Sequence, residues 1–132
     1  MNMISRDERK KQKGLKKFFN SFTYPIKGLK YAYRNEQNLA FDVGMALLVI
    51  IFSFIFKLDA SEWAVVMITI GLVLSMELVN TAIEAVVDLT CPDIHPLAKV
   101  AKDTASAAVF VFATVAFISG LIIFVPKVVA LF

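Results

Sequence analysis

The chain has one cysteine, Cys91, in 132 residues, so no disulfide can form within it and its cysteine usage gives no sign of an oxidising compartment. Cys91 reads as a small buried or interfacial residue. Histidine is equally scarce: His95 stands alone between Ile94 and Pro96, the setting of a solvated loop residue, and a lone imidazole does not make a metal centre. The five glycines are scattered, which excludes a phosphate-cradling P-loop and a glycine-rich kinase loop; an HRD-type catalytic motif is missing as well. Phosphoryl chemistry on this chain would have to rest on metal and lysine charges. No segment alternates with the period of two of a membrane strand, and three strands could not close a barrel. A cleaved leader is not expected either, because Lys, Arg and aromatic residues are interleaved as far as Arg34 instead of yielding early to an apolar core.

What the chain has in excess is apolar surface. The hydrophobic fraction is 58%, against roughly 45–50% for soluble domains. Three apolar segments stand out: about Leu39 to Phe56, with Asp42 near its start; about Ala60 to Val87; and Thr104 to Val125, closed by Pro126 and Lys127. Each is long enough to cross a bilayer. The expectation is an all-α integral membrane protein with spans at about 38–57, 60–87 and 104–126, preceded by a basic arm over 1–35; residues 36–132 form the membrane domain. No separate soluble catalytic domain fits in the remaining length.

Charge is distributed unevenly. Ten of the fourteen Lys and Arg residues precede Asn35, whereas the Lys57 to Glu62 connection carries one and the Leu89 to Asp103 connection carries Lys99 and Lys102. The positive-inside rule then puts the N-terminus and the second connection in the cytoplasm and the C-terminus outside, with Trp63 as an anchor at the outer interface. In the arm, Leu15, Phe18, Phe19, Phe22, Ile26, Leu29 and Tyr33 follow helical spacing with lysines between them, an interfacial amphipathic pattern. Its expected counterpart is an anionic headgroup surface and not nucleic acid; a sharper reading adds a role in binding a nucleotide. Pro25 lacks an amide hydrogen, so a kink or two short helices joined near Tyr24 are expected.

The chemistry is concentrated on the second span. Glu77, Asn80, Glu84 and Asp88 stand at offsets of 0, 3, 7 and 11, within a strip about 80° wide on one helical face. Carboxylates inside a membrane are costly and default to functional readings. Counted from Trp63, Glu77 lies about 20 Å along the helix, still within hydrocarbon, while Glu84 and Asp88 reach the cytoplasmic boundary. A membrane-buried acceptor and a water-soluble phosphate donor could meet between them. Glu84 with Asn80 one turn away offers hard oxygen ligands for Mg²⁺, and Glu36 is the best-placed second carboxylate. Lys102, with Lys99 and the arm, supplies donors for phosphate oxygens, and Asp103 could orient Lys102 or meet the nucleotide. Two plainer readings compete: Glu84 and Asp88 as a solvated helix end, and Glu77 as a proton carrier in a small transporter subunit.

The string Glu77-Leu78-Val79-Asn80-Thr81-Ala82-Ile83-Glu84-Ala85-Val86-Val87-Asp88 resembles the E-x-x-N-[ST]-A-I-E-x-x-x-D signature of the small prokaryotic diacylglycerol kinases and the undecaprenol kinases of Gram-positive bacteria. Ala101-Lys102-Asp103 followed by Ser106-Ala107-Ala108-Val109 resembles a second block of that family, and Arg34-Asn35-Glu36 the pair ahead of its first span. The resemblance runs from about Tyr24 to Val109. It implies a homotrimer of three-span subunits with an N-terminal surface helix, composite sites at subunit boundaries, and dependence on ATP and Mg²⁺. On matching positions it implies Glu77 as catalytic base, also meeting the lipid substrate, and Glu36 and Glu84 as metal ligands. Asn80, Lys102, Asp103, Asp93 and His95 would lie at the nucleotide together with Glu36 and Glu84, with Lys17 and Tyr24 as contacts from the arm and Ser106 near the lipid hydroxyl. The segment Asp93-Ile94-His95-Pro96-Leu97-Ala98-Lys99 resembles the Gram-positive branch, whose acceptor is undecaprenol; diacylglycerol is the alternative. The expected location is the bacterial plasma membrane.

Overall fold

A computed structural model describes residues 14–132; the part of the basic arm from Arg6 to Lys13 lies outside the described residues. The described residues divide into two units, with the boundary between Asn35 and Glu36. Within the first, α1 runs unbroken from Leu15 to Asn35 with Pro25 inside it, so the expected division into two short helices near Tyr24 does not occur. Proline's fixed φ is itself helical and only one amide hydrogen is lost, so the bonds on either side carry the helix through. Phe18 packs edge-on to Phe19 and Phe22 at centroid distances of 5.7 and 5.2 Å.

The second unit is three helices: α2 (Gln37–Ile55), α3 (Ala60–Thr90) and α4 (Pro96–Val129). All three are long and apolar enough to cross a membrane. At 1.5 Å per residue they measure about 28, 46 and 51 Å against a hydrocarbon core of about 30 Å. A short turn joins α2 to α3, so the surplus of α3 must project from the far side of the membrane. That surplus carries Glu84 and Asp88, and α4 begins beside it.

The turn at the near side is built in detail. The Lys57 amide donates to the Phe54 carbonyl and the Leu58 amide to the Ser53 carbonyl, at 3.2 and 3.1 Å. This is the paired bonding of a Schellman helix end, and it places Lys57 at φ 50°, a left-handed position that glycine usually takes. Leu58 is buried behind it. Asp59 then caps α3, its carboxylate accepting from the Ser61 and Glu62 amides while Glu62 accepts from the Asp59 amide at 2.9 Å. Hydrogen bonds from the Ser61 side chain and the Glu62 amide hold the Asp59 carboxyl below the usual carboxylate range. Glu62 also pairs with Lys127 of α4 at 2.9 Å. Phe54 against Trp63 and Phe56 against Phe124, at 4.8 and 6.0 Å, complete the tie among the three helices at this end.

Two helix boundaries differ from expectation. The Leu89 to Asp103 stretch, expected as a connection, contracts to Cys91–His95, because Pro96 occupies the first helical position and the His95 Nδ1 accepts the Leu97 amide at 3.2 Å. His95, exposed in the connection as expected, is therefore also the cap of α4. Lys99, Lys102 and Asp103 accordingly stand on α4. At the other end Pro126 does not close the helix, which continues to Val129; the proline costs one hydrogen bond in a last turn that is otherwise intact.

α3 and α4 pack along much of their length, and α2 lies on α3 less extensively. The apolar core is thin, comprising Leu39, Leu58, Val66, Ala105 and Val109 in this unit. Large apolar side chains such as Phe41, Ile51, Ile68, Phe110 and Ile122 are exposed instead, as suits helices whose solvent is lipid. An apolar groove of about 630 Å³ runs between the three helices, walled by residues such as Met45, Phe52, Val66, Phe117 and Phe124, with Asp42 on its lining.

Candidate functional site

The most deeply buried polar residues of α3 are neighbours on one face: Glu77, Asn80 and Thr81, with Glu77 only 5% exposed. Buried polar groups need partners, and here the accounting is uneven. The Thr81 hydroxyl is satisfied by the Glu77 carbonyl at 3.0 Å, a local bond that leaves its side chain no further role. Asn80 donates through Nδ2 to Glu84 Oε1 at 3.0 Å, while its buried Oδ1 has no partner among the described residues. Among the described residues the Glu77 carboxylate enters no ion pair, and the influences on it are burial and neighbouring charge without a hydrogen bond. It lies within electrostatic range of Glu36, Asp42 and Glu84. Carboxylates from α2, from the residue before it and from α3 thus act on Glu77 through their charge.

Glu36 precedes α2 in an extended conformation, φ −108° and ψ 110°, and makes no capping bond with its side chain. A carboxylate at a helix start normally accepts an orphan amide; this one makes no such bond. Among the described residues no cluster of three or more His, Cys, Asp or Glu side chains forms a closed metal nest. The donor set nevertheless fits a hard divalent cation of the Mg²⁺ type, which takes one or two carboxylates and fills its other positions with phosphate and water oxygens. The orphaned Asn80 Oδ1 beside Glu84 is the observation that makes the fit concrete.

Lys102 of α4 meets Asp88 of α3 at 2.5 Å, and Asp103 pairs with Lys99 one turn back at 2.6 Å. The structure therefore divides the Lys102-Asp103 pair. The lysine turns to α3, and the aspartate stays on the exposed side of α4. Asp93 is exposed in the short connection, where its carbonyl accepts from the Cys91 thiol at 3.4 Å. Ser106 is exposed beside buried Ala105, and no hydrogen bond joins it to α3 among the described residues. Lys17 and Tyr24 are exposed on α1 in the other unit.

Two pairings escaped the sequence reading. Asp88 was on the stripe, but its pairing across helices to Lys102 needed the α3–α4 packing to be known. The Lys99–Asp103 pair was visible as an i, i+4 spacing once α4 is allowed to begin at Pro96.

A stripe of this kind, with a buried unpartnered carboxylate at one level and a carboxylate–amide pair with a lysine at the next, suits transfer of a phosphoryl group between a buried hydroxyl and an aqueous donor. Comparison with known proteins agrees. The family model for prokaryotic diacylglycerol kinase matches residues 23–124. The chain is 44% identical to the undecaprenol kinase of Bacillus subtilis over 125 residues, 95% of this chain and 99% of that one. It is 40% identical to a diacylglycerol kinase of Helicobacter pylori over 74% of this chain and 77% of the relative. With the diacylglycerol kinase of Escherichia coli the identity is 33%, covering 83% and 90%.

Proposed function

The chain belongs to the prokaryotic diacylglycerol kinase family and is a lipid kinase, and from that premise we propose that it transfers the γ-phosphoryl group of ATP to the hydroxyl of undecaprenol. The observation that carries the mechanism is the buried, unpartnered carboxylate of Glu77 two turns from Glu84 on one face of α3. The choice of undecaprenol rests on the match to the Bacillus subtilis enzyme, which is 44% identical over nearly the whole of both chains. Diacylglycerol is the second reading, supported by the names of the other relatives.

In the proposed reaction the lipid hydroxyl enters beside Glu77, whose carboxylate takes its proton as the oxygen attacks the γ-phosphorus in line. A new oxygen–phosphorus bond forms, the bond to the β–γ bridging oxygen breaks, and ADP leaves. Lys102 neutralises charge on the phosphoryl oxygens. Glu36 and Glu84 are the residues that would hold Mg²⁺, which when bound supplies charge neutralisation at the phosphates; Asn80 orients Glu84 through its amide. Asp103, Asp93 and His95 border the same end and are assigned to the nucleotide, Lys17 and Tyr24 contribute from the arm, and Ser106 serves the lipid side.

The rest of the family's plan is carried over as part of the same proposal: a homotrimer with sites shared between subunits, α1 lying on the membrane surface, and a cytoplasmic N-terminus. The thin core and the exposed apolar faces of all three spans support packing against further copies. The ten basic residues before Asn35 support a cytoplasmic arm. In mixed micelles with labelled ATP, the label should pass to undecaprenol with a larger kcat/KM than to diacylglycerol. Equal or greater efficiency on diacylglycerol would overturn the choice of acceptor.

A further inference from the structure

On the stripe Asn80, Glu84 and Asp88 are successive steps of one helical turn, each about 6 Å beyond the last. Asn80 holds Glu84. Asp88, the outermost step, holds the Lys102 ammonium across the gap to α4. Among the described residues this is the ion pair that joins α3 to α4 at this end; the other pair between these helices, Glu62–Lys127, lies at the opposite end. Lys99 does not compete for Asp88, because it is engaged by Asp103 on its own helix.

We propose that Asp88 is a positioning residue for phosphoryl transfer: its carboxylate holds the Lys102 ammonium one turn beyond Glu84, at the height where ATP phosphates meet the metal-binding end of the stripe. The inference rests on the reading of Lys102 as a phosphate contact. A lysine is a compact charge on a flexible four-carbon stem and loses much rotamer freedom when fixed on a ligand. A carboxylate that fixes the stem beforehand removes that loss from the binding step, and two of the three ammonium protons remain for phosphate oxygens. Protein kinases use the same device, a lysine held on the phosphates by an ion pair with a glutamate from a neighbouring helix. The Asp88–Lys102 pair is too exposed, at 66% and 36% of the two side chains, to matter much for folding.

The test uses the full chain in mixed micelles and compares Asp88→Asn, Asp88→Glu, Lys102→Met and the double variant Asp88→Asn/Lys102→Met. Asp88→Asn should lower kcat/KM for ATP about threefold to fivefold, the range open to an exposed ion pair. It should leave the KM for lipid and the melting temperature unchanged. Asp88→Glu should recover most of the loss, and in the Lys102→Met background Asp88→Asn should have no further effect. If Lys102→Met is impaired but Asp88→Asn is silent, tightens ATP, or adds its loss in full to the double variant, the positioning role is overturned and the reading of Lys102 stands. If Lys102→Met shows wild-type ATP kinetics, that reading falls and the positioning role falls with it.

Discussion

Replacing Glu77 by glutamine should move activity and stability in opposite directions. The substitution preserves shape and removes one carboxylate from a face that also holds Asp42, Glu36 and Glu84. Glu77 and Glu84 are seven residues apart, about 10.5 Å along the helix. At an effective dielectric constant of about 20 their repulsion is about 1.6 kcal/mol, and about 0.4 kcal/mol if water screens the pair fully. Glu77 has no hydrogen bond or ion pair to lose, so the neutral amide should stabilise the fold by on the order of 1 kcal/mol, a few degrees in melting temperature. Without an acceptor for the hydroxyl proton, turnover should fall about 10²- to 10⁴-fold, equivalent to about 3–5 kcal/mol of barrier. The KM for ATP should change little, because Glu77 lies about 10.5 Å inside the level of Glu84, the metal-binding end of the stripe. The measurements are transfer of label from ATP to lipid in mixed micelles and melting of the purified protein in detergent. Turnover within tenfold of wild type would refute the base assignment. An inactive protein that also melts earlier would show instead that the carboxylate is structural.

Asn80→Ala removes the amide that orients Glu84 and should weaken apparent Mg²⁺ affinity about 10- to 100-fold, seen as a rightward shift when activity is titrated with Mg²⁺. An unchanged titration would count against Glu84 as a ligand. Lys127→Met cuts the tie to Glu62 and should cost about 1 kcal/mol of stability, read by detergent melting, with any loss in kinetics shared equally by both substrates because the pair sits at the end remote from Glu84. Lys57→Gly relieves the left-handed position at φ 50° and should raise stability by about 1 kcal/mol; a loss in the same melting assay would show that the lysine side chain outweighs the backbone strain.

The three spans were legible because hydrocarbon imposes a length and an apolar composition that no other element of this chain shares. The stripe was legible because helical periodicity is strict: offsets of 0, 3, 7 and 11 share a face in any α-helix. What the sequence did not disclose lies where local rules meet. Pro25, Pro96 and Pro126 are identical in composition, yet one lies inside α1, one opens α4 and one sits in its last turn. Only at Pro96 would the missing amide have gone unused; at Pro25 and Pro126 one hydrogen bond is lost and the neighbouring bonds carry the helix through. Misjudging Pro96 hid the cap at His95 and left Lys99, Lys102 and Asp103 in a loop, so their partners could not be assigned. Pairing between α3 and α4 depends on the rotation of each helix about its axis, which a single periodic pattern does not specify.

The two ends of the helical unit are built for different tasks, and the asymmetry bears on how the site operates. At the end of the Phe56–Asp59 turn, a Schellman bond pair, a capping box, two aromatic contacts between helices and a partly buried ion pair fix all three helices together. At the other end the ion pair joining α3 to α4 is an exposed one, and among the described residues the carboxylates of Glu36 and Glu77 have no hydrogen-bond or ion-pair partner. Interactions left unsatisfied in the resting chain are available to a ligand, whereas an end already saturated with bonds has nothing to offer one. Rigidity at the closed end fixes the rotation of α3, and that rotation determines which way the stripe faces. A substitution at Glu62 or Lys127 that loosened this rotation would reach the site only through the helix, lowering kcat and affinity for both substrates together. Substitutions at Asp88 or Asn80 would act on the nucleotide end alone. The kinetic pattern, uniform in one case and confined to ATP and Mg²⁺ in the other, separates damage to the frame from damage to the site.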